Sequence, residues 1–340
     1  MQMINIHGHY FSNEDLGCDM YNGLVAWCQS KNYKSLAKTL HFLNPFSSND
    51  EFDRLCRMID MGHVKTMEER FLLHSRNYDS GTLFVALPMD FEFAGAGKPK
   101  RPYEEQLQEM AEVHKKYSNF LPFIMIDSRR KNILELLKKY VEKYNFKGIK
   151  FYFNLGYAPT DKELVPIYEY ANANNLPIIS HCNPDNPIYF QGKRSELKEL
   201  LKRSNINVKI GMFDSNKKLC GNFGKLENYI PILLKYNNLK IDLAHLAGTY
   251  SLETLKLMLE TYPYLYSDNS YRMHDKSQCE LLNNLMDEDI IKDKLLQGDD
   301  WYMVLNEENV QSYISGIIET IGIEKFNKLQ ENNRKFLNLA

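Results

Sequence analysis

The sequence predicts an α/β protein built as one (β/α)8 barrel, the TIM-barrel architecture, with long insertions after strands one and five. Three observations carry this reading. Short β-rich runs alternate with stretches of helical periodicity, a pattern of parallel strands joined by right-handed crossovers. Eight such runs are present, which favours a closed barrel over an open sheet. Residues of metal-ligand type stand directly after several of them, at the strand ends where barrel enzymes place catalytic groups.

The first strand is placed at Met3–His7, followed by Thr82–Leu87, Leu121–Ile126, Gly148–Tyr152 and Leu176–Ser180. Leu239–Ala244, Tyr264–Ser267 and Lys294–Gln297 complete the eight. Each is a short run rich in apolar and β-branched residues. Helical periodicity marks Tyr103 to Tyr117, Asn132 to Lys143, Lys162 to Asn174 and Leu226 to Tyr236, with Asp161 as a candidate N-cap. Two connections are long, Tyr10 to Ser80 and Cys182 to Gly224. In a barrel such insertions fall at the mouth and shape the pocket. No linker or internal repeat interrupts residues 1–340, so one domain is expected.

Bulk properties narrow the class. The chain has 340 residues, 44% hydrophobic and 25% charged, within the range of a globular barrel. A net charge of -2 without long single-sign runs argues against nucleic acid or an anionic membrane as partner. No apolar run approaches the roughly 20 residues of a membrane span, and the first residues lack the pattern of a signal peptide. The six cysteines, Cys18, Cys28, Cys56, Cys182, Cys220 and Cys279, are scattered, which reads as reduced thiols in a cytoplasmic protein. A homo-oligomer is compatible with these properties.

The chemistry-bearing residues sit at strand ends. His7 and His9 flank Gly8, and side chains two apart on a strand share a face, so both imidazoles can reach one ion. His181 follows strand five, His245 strand six, and Asp300 strand eight. Any of these alone reads as an ordinary core or loop residue. Five of them directly after strands point to a metal centre. Lys150 ends strand four, where an unmodified ammonium is a candidate to bind an acidic substrate. Arg129 and Arg130 after strand three and Arg272 after strand seven are candidates to hold a substrate carboxylate, since a guanidinium binds one bidentately. Tyr152 and Tyr157 are candidates to border the pocket. His41, His63, His74 and His114 read as helix surface or core, His274 as a pocket candidate, Asp268 as structural, and Cys182 as a small apolar filler.

His7-Gly8-His9, Gly148-Ile149-Lys150-Phe151-Tyr152 with Leu155-Gly156-Tyr157, Leu176-Pro177-Ile178-Ile179-Ser180-His181-Cys182, Asp242-Leu243-Ala244-His245-Leu246-Ala247-Gly248 and Gly298-Asp299-Asp300-Trp301 occur in that order. The closing Glu331-Asn332-Asn333-Arg334-Lys335-Phe336-Leu337 completes the set. Together they resemble the metal-dependent amidohydrolase superfamily, in its amidohydrolase-2 branch. The resemblance implies that His7, His9, His181 and Asp300 bind one divalent ion, Zn2+ first and Mn2+ or Fe2+ also fitting. It implies that His245 stands beside the metal water to polarise or protonate the substrate, and that Asp300 doubles as the base. Lys150 is expected to remain an unmodified amine with a single ion. Two positions depart from the family pattern. Asn5 stands where an Asp is usual, and Asp299 where Ser or Thr is usual. Asp300 is preferred over Asp299 as the ligand because Trp301 follows it.

These features predict hydrolysis of a C–O or C–N bond in a small, acidic ester, lactone or amide, by hydroxide generated at the metal. The alternative is a metal-dependent decarboxylase of a small aromatic or enolisable acid, separated from the first by carbon dioxide release. A catalytically inactive metal-binding barrel is the third reading. The presence of both His245 and Asp300 counts against it.

Overall fold

The structure, a computed structural model, describes residues 2–28, 30, 60–184, 186, 188–248 and 250–339. His41 and Cys56 lie outside the described residues. Eight strands form one sheet in sequence order, β1 Ile4–His9, β2 Leu83–Leu87, β3 Phe120–Met125, β4 Gly148–Phe151, β5 Ile178–Ser180, β6 Ile241–Leu243, β7 Leu265–Asp268 and β8 Leu295–Leu296. Every neighbouring pair is parallel. Each expected strand is found, with no end shifted by more than two residues.

The helices depart from simple periodicity in one instructive way. Lys162–Leu164 and Leu226–Tyr229 are 3-10 turns, and α-helix begins only at Val165 and Ile230. Each α-helix carries a proline in its first turn, Pro166 or Pro231. Proline lacks an N–H and is accommodated where no intrahelical partner is required, so it fixes the start of the helix. Asp161 stands at the N-cap position but does not cap; its carboxylate accepts from the Ser128 hydroxyl at 2.7 Å.

Apolar side chains form two layers. The larger lies between the strands and the helices, for example Leu107 and Met110 against Phe120. The smaller fills the barrel with Ile4, Ile6, Val85, Leu87, Leu121, Phe123, Ile179 and Leu296, against Phe336. Alternation along each strand assigns the layers, since neighbouring side chains face opposite sides. In β1 the alternation is reset. Its pairing with β2 is irregular between Asn5 and Gly8, as at a bulge. Asn5 reaches outward to the Tyr78 hydroxyl at 2.8 Å, as regular alternation requires, but Ile6 and His7 then both turn to the barrel interior.

The seam between β1 and β8 has few backbone bonds of its own. Ile6 N–H donates to Gln297 O at 3.3 Å and Asp300 N–H to His7 O at 2.9 Å. The last helix, Val310–Phe336, supplies the rest from side chains. Asn333 donates to Ile4 O at 2.8 Å and Gln297 O at 2.9 Å and accepts from Gln297 N at 2.9 Å. Gln330 accepts from Ile4 N at 2.7 Å. Asn333 is fully buried, so its removal would leave backbone groups without partners, at about 1–3 kcal/mol each. Asn333→Ala is expected to cost about 3 kcal/mol or more in chemical denaturation. Unchanged stability would show that the seam holds without this residue.

Candidate active site

The C-terminal ends of the strands gather one polar cluster over the apolar barrel interior. His7 and His9 share the inner face of β1 beyond the irregularity. His7 Nδ1 lies 2.7 Å from Asp268 Oδ2, and His9 Nδ1 lies 3.2 Å from the carbonyl of Leu87. A carboxylate or carbonyl on Nδ1 fixes the proton there and leaves Nε2 as a free lone pair. Both Nε2 atoms face Asp300, whose Oδ1 is 3.7 Å from His7 and 3.6 Å from His9. Asp300 follows β8 in a left-handed conformation, with φ of 58°.

These groups fit a divalent ion. Asp300 Oδ1 is buried and has no hydrogen-bond partner, a costly state for a carboxylate unless a cation answers it. One ligand atom from each of His7, His9 and Asp300 lies within 4.8 Å of the others. Two ligands at about 2.1 Å from a tetrahedral ion stand about 3.4 Å apart, close to the observed spacings. Asp299, one residue earlier, faces outward to His74 and Tyr78.

His245 stands next to this trio. It opens a run of three residues with positive φ, 65° for His245, then 50° and 54° for Leu246 and Ala247. Such backbone costs about 1–3 kcal/mol per residue and persists only where its surroundings impose it. Here Asp268 Oδ1 accepts from His245 N–H at 2.9 Å, and Ser270 Oγ meets the ring Nδ1 at 2.9 Å. Asp268 thus positions two of the expected histidines. Its role exceeds the structural one expected for it.

His181 is near but outside the trio. Its Nδ1 is 3.1 Å from His245 Nε2, its ring stacks on Tyr152 at 4.3 Å, and the Asn186 side-chain amide covers its Nε2. Lys150 is fully buried, with Nζ 3.1 Å from His7 Nε2.

Burial governs the charge states. Desolvation, with Lys150 adding repulsion, lowers His7 and takes His9 well below the usual imidazole range. It pulls His245 down to about 3. The histidines are therefore in the neutral form that ligates metals. Burial drives Lys150 down to about 8, opposed by the charges of Asp268, Asp300 and Asp242. It pushes the Asp300 carboxyl upward, opposed by Lys150. Asp268 is the exception: burial would raise it, but His7 and His245 hold it well below the carboxylate range. Asp242, fully buried, is pushed well up by desolvation and then by the charge of Asp268.

The cavity above the cluster, of about 120 Å³, combines Tyr152, Asn183, Asn186 and Tyr271 with apolar Phe11, Met89, Ile188 and Met303. Phe11 comes from the connection after β1, and Asn183, Asn186 and Ile188 from the one after β5. The expected carboxylate-binding residues are elsewhere. Arg129 is paired bidentately with Asp127 at 2.8 and 2.6 Å and also donates to Leu155 O. Arg130 forks onto Asp90 at 2.8 and 2.9 Å and reaches Glu92. Arg272 donates to Gln278 at 3.0 Å. Tyr157 is a core residue, donating to Ile126 O at 2.6 Å and accepting from Tyr152 N at 2.9 Å. His274 is exposed, with Nδ1 on the carbonyl of Tyr271. None of these five lines the cavity.

Asn186 and Ser270 were not singled out from sequence. Each is a common loop residue with no motif around it, and only folding brings it to a histidine.

Eight parallel strands, alternating helices and a His–His–Asp cluster at the strand ends define an enzyme of the amidohydrolase type. The amidohydrolase family profile matches residues 93–301, and the chain belongs to that family. Solved structures agree at the level of fold. An uncharacterised TIM-barrel protein, Bb4693 from Bordetella bronchiseptica, superposes with a TM-score of 0.54 at 12% identity, covering 97% of this chain and 99% of that one. The 4-oxalomesaconate hydratase LigJ from Rhodopseudomonas palustris gives 0.52 at 16% identity, covering 99% and 96%. A zinc-bound amidohydrolase from Burkholderia multivorans gives 0.52 at 12% identity, covering all of both chains. No functionally curated protein matches significantly.

Removing Arg129 would leave the fully buried Asp127 charge uncompensated. Arg129→Gln is expected to lower unfolding free energy by about 3–5 kcal/mol. A variant of normal stability that no longer holds substrate would return Arg129 to the pocket.

Proposed function

We propose that the chain is a metal-dependent hydrolase that cleaves a C–O or C–N bond of a small ester, lactone or amide. The observation that carries this is the unpartnered Asp300 Oδ1 facing the Nε2 atoms of His7 and His9 at the foot of the cavity. His7, His9 and Asp300 would hold one ion. His181 would join them by giving up its contact with Asn186. The nitrogen and oxygen donor set suits zinc first, and Mn2+ or Fe2+ as well. When bound, the ion polarises a carbonyl and acidifies water.

The chain's own groups supply the rest. Asp300 accepts a proton from the attacking water. His245, held by Asp268 and Ser270, steadies charge developing on the carbonyl oxygen, and the proton that Asp300 takes from water passes to the leaving group, directly or through His245. Lys150 remains a free amine beside His7, with one ion in the site. The reading no longer requires an acidic substrate. Arg129 and Arg130 are paired with Asp127 and Asp90, Arg272 lies outside the cavity, and beyond the histidines and Asp300 the described lining combines tyrosines and carboxamides with apolar side chains.

Among the described residues no helix is long and apolar enough to cross a membrane. The free thiols of Cys18, Cys182, Cys220 and Cys279 support a cytoplasmic placement, which cell fractionation checks.

Purified protein is expected to carry one ion per chain by elemental analysis, and the His7→Ala/His9→Ala variant none. Full metal content in that variant would sink the assignment, and two tight ions in the wild type would overturn the single-ion reading. His245→Asn is expected to keep its metal and lose about a hundredfold in rate on ester, lactone or amide substrates. Carbon dioxide release without any hydrolysis would replace this reading with a decarboxylase.

A further inference from the structure

Behind the seam, on the outer side of the strands, lies a second polar cluster that takes no part in the cavity. Asp299 Oδ2 lies 2.7 Å from His74 Nε2 and accepts from the Tyr78 hydroxyl at 2.7 Å. Asp299 Oδ1 accepts from the backbone N–H of Trp301 at 2.9 Å. His74 also stacks on the Trp301 indole, at 4.5 Å and nearly parallel, and its Nδ1 meets the Tyr10 hydroxyl at 2.7 Å. Asn5 closes the network. It donates to the Tyr78 hydroxyl at 2.8 Å and accepts from the N–H groups of His7 at 3.1 Å and Asp299 at 3.3 Å. Asp299 and His74 are both buried, at 0% and 1% exposure.

His74 and Tyr78 come from the long connection after β1. The helix Met67–Ser75 carries His74, with Thr66 capping its start. They grip the two residues that flank Asp300, Asp299 by its carboxylate and Trp301 by its ring. Asp300 between them holds a left-handed backbone, which a non-glycine residue adopts only under constraint. Asp299 faces outward to His74 and Tyr78 while Asp300 faces His7 and His9, so pinning the first restricts the aim of the second.

We propose that Asp299, held by His74 and Tyr78, is the positioning residue for the Asp300 carboxylate, so that the insertion after β1 sets the geometry of the metal site from outside the barrel. The proposal rests on Asp300 being a ligand. Outer partners of metal ligands affect affinity by about 10–100-fold because they restrict ligand orientation in advance of binding.

The test is zinc affinity of the full-length protein, measured by competition with a chromophoric chelator. Thermal melting of the metal-free protein is recorded in parallel. Asp299→Asn keeps the shape of the side chain but has one acceptor oxygen in place of two, so it cannot accept from His74 and Tyr78 and from the Trp301 N–H at once. It is expected to weaken zinc binding about 10–100-fold. His74→Phe keeps the stacking on Trp301 and loses the hydrogen bond, with the same direction expected. His74→Gln offers a donor again and should recover part of the loss. Leu107→Ala, in the outer core far from the site, should lower the melting temperature without changing zinc affinity. Tyr78→Phe, at a half-buried position, provides a reading if Asp299→Asn fails to fold.

Wild-type zinc affinity in Asp299→Asn, His74→Phe and Tyr78→Phe, with affinity lost in Asp300→Ala, overturns the positioning role alone. Wild-type affinity in Asp300→Ala overturns the metal-site reading on which it rests. Affinity that falls equally in Leu107→Ala would reduce the network to general stability.

Discussion

Closure of the barrel between β1 and β8 is the constraint on which the rest depends. His7 and His9 lie on one side of that seam and Asp300 on the other. The backbone bond from Asp300 N–H to His7 O, at 2.9 Å, is part of the closure itself. The carboxylate reaches the imidazoles only if the last strand meets the first in register. A one-residue slip would exchange Asp300 for Asp299 and direct the wrong carboxylate inward. The side chains of Asn333 and Gln330 below the seam, and the Asp299–His74 contact behind it, hold that register from two directions.

The strands were legible because buried parallel strands read as short continuous apolar runs, and punctuation by helices leaves few other assignments. Their ends were placed less closely, as with β8, where only Leu295–Leu296 pair regularly. The site was legible as a set of strand-end residues. His7, His9, Asp300 and His245 meet because the fold brings all strand ends together. What the sequence could not show was which partners each side chain chooses. Arg129 and Arg130 have the placement of substrate ligands, yet Asp127, only two residues before Arg129, and Asp90, 40 residues from Arg130, claim them. His181 has the motif of a ligand, yet its ring stacks on Tyr152 beneath Asn186. Asp268 looked structural because nothing local marks a carboxylate that will touch two histidines 261 and 23 residues away.

The two insertions divide the remaining work. The connection after β5 places Asn183, Asn186 and Ile188 over the histidines and so forms one wall of the cavity. The connection after β1 contributes Phe11 to the cavity and His74 and Tyr78 to the rear of the seam. One loop thus touches the site from both sides of the barrel wall. On the positioning role proposed for Asp299, substitutions at His74 or Tyr78 would alter the metal site without altering any residue that lines the cavity.

The seam also orders events in time. His7 and Asp300 are about 290 residues apart in sequence. At a synthesis rate of roughly 5–20 residues per second, the histidines leave the ribosome about 15–60 s before the aspartate that completes the site. Contacts of such separation form late in folding, because the closure entropy of the intervening chain must be met first. A metal site built across this seam would therefore be an outcome of barrel closure rather than a template for it.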